Sequence, residues 1–495
     1  MKRNNKWLLM LVVALMTLLT ACSGNNGNKG GEAASESSTP PATASASGSG
    51  KAEQTDDVYP ENGLPKSEKV TLKIGIDENG YGRAWVDYAI ENFTKKFPNV
   101  SFEINASPVI NDMIKTKIAA NSDEDMFDIF PGAVNNQSIK LIEAGKYEPV
   151  DDLWERELPD APGQKLKDML VAGAYENHPR VQGKTYNLPV GGNTMGMFFD
   201  KKFFEENGWN MNPQTWDEFL QLMESIKAKE VTPIVYAGVY PVYMYNMGFG
   251  PKRFEIAEIN GTLDQALANF RKQALPKYAA PENVDAWNKM SELGKKGYIA
   301  NGVAAINHTQ SQMMVLQRKA ALVPTGDWVG NEMKDSTPEG FEWGFMTVPV
   351  GNSADQTKWI MSDYTSGGYV IWSGKPDLNK KWAKEFLLSF STLEQQAYMV
   401  QNAGIFPVRK DFADDPARME KVQNAPKAVM DYMSKNKVRS EALRIEVLYD
   451  HPAVANATKI ITESANDVIT GKKDALQMLE KADQIFKEAV DADTK

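Results

Sequence analysis

Residues 70–104 read VTLKIGIDENGYGRAWVDYAIENFTKKFPNVSFEI, and this stretch decides the fold. Val70, Leu72, Ile74 and Ile76 occur at every second position, the period of a strand. Asp77-Glu78-Asn79-Gly80-Tyr81-Gly82 forms a turn-rich loop. Val86, Ile90, Phe93 and Phe97 then recur at helical spacing until Pro98 stops the helix. Val100, Phe102 and Ile104 alternate again. A helix over 110–120, a short apolar strand over 126–130 and a helix over 138–145 continue the series. Strands and helices alternating at this spacing predict an α/β architecture with a mostly parallel sheet covered on both faces.

The pattern restarts near Tyr186. Residues 195–199 read as a strand and 201–207 as a short helix ended by Gly208. Thr215-Trp216-Asp217-Glu218 is a capping box, in which a threonine hydroxyl and a glutamate three residues on satisfy free amides at a helix start. Residues 234–237 predict a strand, and 263–272 and 282–296 two helices. Short strands are expected at 320–324, 344–348 and 369–372, with helices dominating from 380 onward. At 495 residues the chain exceeds what one core usually holds, so at least two are expected.

The first 21 residues read as an export signal. Lys2, Arg3 and Lys6 make a charged start, and 7–19 an apolar run too short to favour a spanning helix. The run ends in Leu19-Thr20-Ala21-Cys22, a lipobox-like pattern in which cleavage before Cys22 precedes its acylation. Residues 23–50 contain no Val, Ile, Leu, Met or aromatic residue, so they cannot bury enough apolar surface to offset chain entropy. With the polar stretch that follows, 22–68 is expected to be a lipidated tether and the folded body to begin near Lys69. That places the protein outside the cytoplasm, anchored to the outer face of the cell membrane.

Hydrophobic residues at 42% and charged residues at 24% describe an ordinary globular body. A net charge of −10 argues against a nucleic-acid partner, which would draw on a basic excess. One cysteine and three isolated histidines (His178, His308, His451) leave no disulfide framework and little scope for a Cys/His metal cluster. The histidines read as structural or surface residues. Residues 335–340 resemble a calcium loop faintly and read as a turn. No phosphate-binding loop, H-E-x-x-H or G-x-S-x-G motif is present. No catalytic residue, cofactor or metal is therefore expected. Eleven Trp and seventeen Tyr are many for such a chain. Several fall in loops or at strand ends: Tyr81, Trp85, Tyr240, Tyr243, Tyr245, Trp328, Trp359 and Tyr364. Flat sugar faces stack on such rings, while amides, carboxylates and guanidinium groups orient hydroxyls. Asp77, Asn135, Asn136, Asn193, Asp327 and Arg409 stand nearby in sequence. A tryptophan more often anchors a core, and Trp209 and Trp216, beside a turn and a helix cap, read that way.

Several segments, in order, resemble the bacterial extracellular solute-binding proteins of ABC importers, specifically the sugar-binding family that includes the maltose-binding type. They are 126–130 with 142–153, Gly183-Lys184-Thr185-Tyr186-Asn187-Leu188-Pro189, and 197–204. Pro213-Gln214-Thr215-Trp216-Asp217-Glu218-Phe219, 319–322 with Gly326-Asp327-Trp328, 384–387 and 404–409 complete the set. Arg318 stands where the family usually has glycine, and 244–261 and the tail after Gln423 match no motif. The resemblance implies a type II periplasmic-binding-protein-like fold, with two α/β lobes joined by crossovers near Val190, Pro324 and Ser373. Lobe 1 is then 69–190 plus 325–373, and lobe 2 is 191–324 plus 374–495. It further implies a carbohydrate, an oligosaccharide above all, held in the interlobe cleft by hinge closure and delivered by a monomeric receptor to ABC permease subunits. Carried over residue by residue, the contacts are Tyr81, Arg83, Trp85, Asn135, Asn136, Asn193, Asp327, Trp328 and Arg409, with Tyr243 and Tyr364 added for their rings. A receptor for a non-sugar solute such as a peptide or polyamine, and a surface glycosidase using paired carboxylates, are the competing readings.

Overall fold

The alternation at 70–76 becomes strand β1 (Val70–Asp77), with Leu72, Ile74 and Ile76 entirely buried. The computed structural model describes residues 57–134, 138–363, 368–440 and 445–493. The export signal, Cys22, most of the tether, Asn135, Asn136 and Tyr364 lie outside the described residues. Strand β1 pairs in parallel with β2 (Val100–Ser107) and with β3 (Ile129–Pro131), and β9 (Tyr369–Ile371) runs antiparallel along the far side of β3. The first helix, Ala84–Lys96, puts Val86, Ala89 and Phe93 into the core beneath this sheet and frees its polar face. Helix Asp377–Ser389 packs against the same core. Its Trp382 is fully buried against Phe97, ring centroids 5.0 Å apart. Burying one such aromatic contributes about 2–3 kcal/mol.

The second sheet is mixed, where a mostly parallel one is the sequence expectation. β4 (Asn193–Asp200) lies antiparallel to β6 (Ala320–Gly326), to β7 (Trp343–Met346) and to β8 (Met361–Asp363). Only β5 (Thr232–Ile234) pairs with β6 in parallel. A separate core fills this lobe, around Phe198, Phe219, Trp287 and Phe486. Half of the capping box forms: Thr215 Oγ1 accepts the Glu218 amide at 3.2 Å, while Glu218 Oε2 accepts the amide of Gln214 at 2.7 Å and not that of Thr215.

The partition of the chain differs from the expected one in three places. Pro324 is no crossover. It sits inside β6, opposite Met197, and β5 stops opposite Leu322, which leaves the edge beside Pro324 without a ladder to break. Residues 343–363 consequently belong with the second sheet. The helices Asp377–Ser389 and Leu393–Ala403 belong with the first, since Phe386, Leu387, Met399 and Ala403 enter its core. Finally, 57–68 is body and not tether. The Tyr59 ring meets Phe97 edge-on at 4.9 Å, its hydroxyl donates to Asn99 Oδ1 at 2.8 Å, and Leu64 is buried.

The lobes are joined where 190–193 and 405–406 run side by side. Gly192 and Phe406 exchange backbone hydrogen bonds of 2.8 and 3.1 Å. Ile405 enters the first core and Phe406, the next residue, the second. The chain returns to the first lobe between β8 and β9. It passes back to the second between 412 and the helix Asn424–Lys435, which packs on β7.

Candidate functional site

Parallel strands leave a crevice beyond their carboxyl ends, where loops diverge and backbone groups are free. Here that crevice is a cleft of about 420 Å³ at the ends of β1 and β3. The β1 end contributes Asp77, and the following loop Asn79, Tyr81 and Gly82. Pro131 ends β3 and Gly132 and Ala133 follow it, and the joining segment 190–193 with Tyr369 closes the floor. The loop after β1 is held in shape by its own polar groups: Asp77 Oδ1 accepts the Asn79 amide at 2.9 Å and its side chain at 2.8 Å, and Trp85 Nε1 donates to the Gly82 carbonyl at 2.9 Å. Trp85 is otherwise packed on Tyr369 and Phe390, so one edge of a buried ring faces the cleft.

Two glycines allow the floor to close up. A Cβ at Gly191 would stand 1.9 Å from Ile405 Cγ2, and Gly368 has φ +101° with the Leu188 carbonyl 2.4 Å from where its Cβ would be. A larger residue at Gly191 would push the two joining segments apart, and one at Gly368 would push the start of β9 off the Leu188 carbonyl.

The second lobe reaches the same loop through the end of β6. Asp327 is wholly buried. Its Oδ2 accepts the Thr194 amide at 2.8 Å and its Oδ1 the Tyr81 hydroxyl at 3.3 Å. Burial pushes this carboxyl well above the usual carboxylate range, against the pull of those donors. The Trp328 ring stands edge-on to Tyr81 with centroids 6.0 Å apart, and Asn331 Nδ2 donates to the Gly80 carbonyl at 3.0 Å. On the short helix Val329–Glu332, which also carries Asn331, Glu332 holds His308 Nε2 at 2.7 Å and Gln312 Nε2 at 2.8 Å, with Tyr243 edge-on to the His308 ring at 5.3 Å.

Of the residues expected at the site, Tyr81, Trp85 and Asn193 line the cleft together. Asn193 Oδ1 is buried and meets no donor in the structure. Asp327 and Trp328 stand behind Tyr81 as its support. Tyr243 lies against His308, outside the cleft lining. Arg83 is turned to Asp87, donating at 2.9 and 2.8 Å, and pairs with Glu78 at 3.5 Å. Arg409 is fully buried away from the cleft. Its guanidinium donates to Asp411 at 2.9 and 2.7 Å, to Asp160 at 3.1 and 3.2 Å and to the Ser391 carbonyl at 2.9 Å. That fork ties three segments of the first lobe together and commits the buried guanidinium to them. The sequence reading missed Asn79, Asn111 and Tyr369. For Asn79 and Asn111 the signal was available in the rule that ligands gather at the carboxyl ends of parallel strands, since they follow β1 and β2; Tyr369 opens the antiparallel β9, whose pairing no local pattern announces.

The lining thus combines ring edges with amides, and among its described residues Asp77 is the one carboxylate. A lone carboxylate with aromatic and amide neighbours suits recognition of a neutral, hydroxyl-rich solute better than acid–base chemistry by a carboxylate pair.

Comparison with known proteins places the cleft in context. The family model described as "Bacterial extracellular solute-binding protein" matches residues 76–398. A multiple sugar-binding protein of Streptococcus mutans is 23% identical over 292 residues, 57% of this chain and 63% of that protein. The diacetylchitobiose binding protein NgcE of Streptomyces coelicolor is 24% identical over 272 residues, 55% of each chain. The match therefore spans less than two thirds of the length of these relatives. Among solved structures, a chitin oligosaccharide binding protein superposes with TM-score 0.65 at 22% identity, over 85% of this chain and 99% of that one. RafE in complex with raffinose gives 0.62 at 20% identity, over 85% and 100%. UgpB from Mycobacterium tuberculosis in complex with glycerophosphocholine gives 0.64 at 17% identity, over 86% and 100%. At these identities the likeness is one of fold, two lobes around a cleft.

Proposed function

This chain belongs to the bacterial extracellular solute-binding proteins, and on that premise we propose that it captures a carbohydrate, an oligosaccharide above all, in the interlobe cleft and hands it to an ABC import permease. The observation that carries the reading is the lining itself: Tyr81 and Trp85 beside Asp77, Asn79, Asn111 and Asn193 at the strand ends. The aromatic surface gives pyranose C–H groups an apolar contact, and amides and a carboxylate satisfy hydroxyls. The sugar-binding relatives from Streptococcus mutans and Streptomyces coelicolor support the same class of solute. In this proposal Tyr81, Trp85 and Asn193 touch the solute, Trp328 completes the wall on closure, and Arg83 and Arg409 shape the first lobe. The hinge at 190–193 and 405–406 lets the lobes move, and the solute favours the closed form only through contacts made there.

The proposal includes a lipid anchor. Acylation of Cys22 would hold the protein at the outer membrane face, with the segment before residue 57 as its tether. The body, Asp56–Lys495, is a compact unit of its own and is the material for the test. It is titrated calorimetrically against a panel of plant and microbial oligosaccharides with tryptophan emission followed in parallel. Saturable 1:1 binding without product, weakened at least tenfold in Trp85→Ala, is the expected result. Silence across the panel would overturn the sugar reading in favour of a solute such as a phosphodiester, a peptide or a polyamine. Release of shorter sugars would overturn binding alone.

A further inference from the structure

The second lobe holds another, more enclosed cavity of about 270 Å³, which shares no lining residue with the cleft. It sits among the helices Lys252–Ile259, Leu263–Lys272 and Pro281–Lys295. Its wall is aromatic: Tyr245 lies flat on Trp287 with centroids 5.0 Å apart, its hydroxyl fixed on Asn283 Oδ1 at 2.6 Å.

Two cations reach this chamber. The Arg253 guanidinium lies 4.4 Å from the Phe270 ring centroid and 4.7 Å from that of Phe254. Its Nε is buried and meets no acceptor, and it forms no ion pair with a described residue. Lys277 Nζ donates to the neutral Gln273 Oε1 at 2.6 Å and sits 4.1 Å from the Phe486 centroid. Burial, with the Arg253 charge nearby, lowers its ammonium to about 8. Asp483 opposes that lowering, yet its oxygens are taken by the backbone amides of Lys277, Tyr278 and Ala279 at 3.0, 2.9 and 2.8 Å. Glu282 lines the cavity and pairs with neither cation among the described contacts.

Arg253 has no carboxylate at ion-pair distance among the described residues and Lys277 bonds a neutral amide, so a guanidinium N–H is left unsatisfied in the empty site. A guanidinium fork matches a planar carboxylate, an ammonium adds a point charge, and the ring-lined wall takes a flat body. We propose that this cavity is a second binding site, for a small organic carboxylate carried on a ring, held through Arg253 and Lys277 and packed against the Tyr245–Trp287 wall. It is independent of the cleft reading and of the sugar assigned there.

The test titrates the full-length protein with benzoate, glucuronate and inorganic phosphate, by calorimetry and by tryptophan emission, with W287F as the control that assigns the emission change to the cavity wall. The two ring carboxylates distinguish an aromatic from a sugar-acid source. Saturable 1:1 binding of at least one is expected, unchanged when the cleft is occupied by its own solute. R253Q should weaken it at least about 30-fold, and R253K, which keeps the charge and loses the fork, by less. Absence of saturable binding for both carboxylates, binding of phosphate alone, or unchanged affinity in R253Q would each overturn the proposal. If R253Q does not fold by circular dichroism, K277Q is read by the same criterion.

Discussion

Replacing Arg409 by methionine separates a structural arginine from a ligand contact. The side chain is fully buried and makes charge-assisted bonds to Asp160 and Asp411 and one to the Ser391 carbonyl. Methionine fills similar volume but strands both carboxylates. Removing one partner of a buried pair costs about 3–5 kcal/mol. Asp160 and Asp411 are 28% and 23% exposed, so water resolvates them in part and the lower end, about 3 kcal/mol, applies. For a cooperative unit of roughly 150–250 residues that is a drop in melting temperature of about 6–12 °C. Arg409→Lys should keep the charge, lose the fork and fall between. The assay is calorimetric unfolding beside titration with the solute identified for the cleft. The expected outcome is lowered melting with affinity within about twofold of wild type in the folded fraction. A variant that melts like the wild type, or one that keeps its melting point while losing tenfold in affinity, would refute the assignment of Arg409 to the frame.

Three further outcomes follow from other parts of the molecule. Burial raises the folded-state ionisation of Asp327. The stability it contributes is therefore fully present below the unfolded value near 4 and is lost as pH rises through the raised folded value, by up to about 1.4 kcal/mol per pH unit. Asp327→Asn keeps an acceptor for Thr194 and removes that slope. Denaturant melts at stepped pH should show the variant gaining on wild type as pH rises, and parallel curves would refute it. Gly191→Ala places a methyl 1.9 Å from Ile405 Cγ2, so we expect about 1–3 kcal/mol of destabilisation and altered lobe closure, seen as a changed scattering profile with and without solute. Cys22→Ser should move the protein from the membrane fraction to the medium, and retention at the membrane would refute the lipid anchor.

The parts legible in sequence share one property: their cause is local. The strand–loop–helix–strand of 70–107 follows from periods of two and 3.6 that need no distant partner, and the Thr215 cap closes on a residue three positions away. Tyr81, Trp85 and Asn193 were legible because a loop after a parallel strand and a crossover face the cleft whatever the details. Arg83 and Arg409 fall outside the cleft lining for the converse reason. An arginine in a loop reads the same whether it greets a solute or an aspartate, and Asp160 stands 249 positions from Arg409. In the same way Tyr59 and Leu64 looked like parts of a polar tether, because the Phe97 and Trp382 rings that receive Tyr59 are assembled only in the fold.

By itself, then, the sequence determined the class of fold, the presence of two cores and the kind of residue that meets at the strand ends, since periodicity and turn chemistry act over a few residues. Tertiary structure alone decided which sheet received each returning segment. Residues 343–363 and 377–403 carry apolar faces that either core could have buried. What assigned β7 to β4, and Trp382 and Phe386 to the first core, was the complementarity of surfaces far apart in the chain, a property that no window of sequence contains.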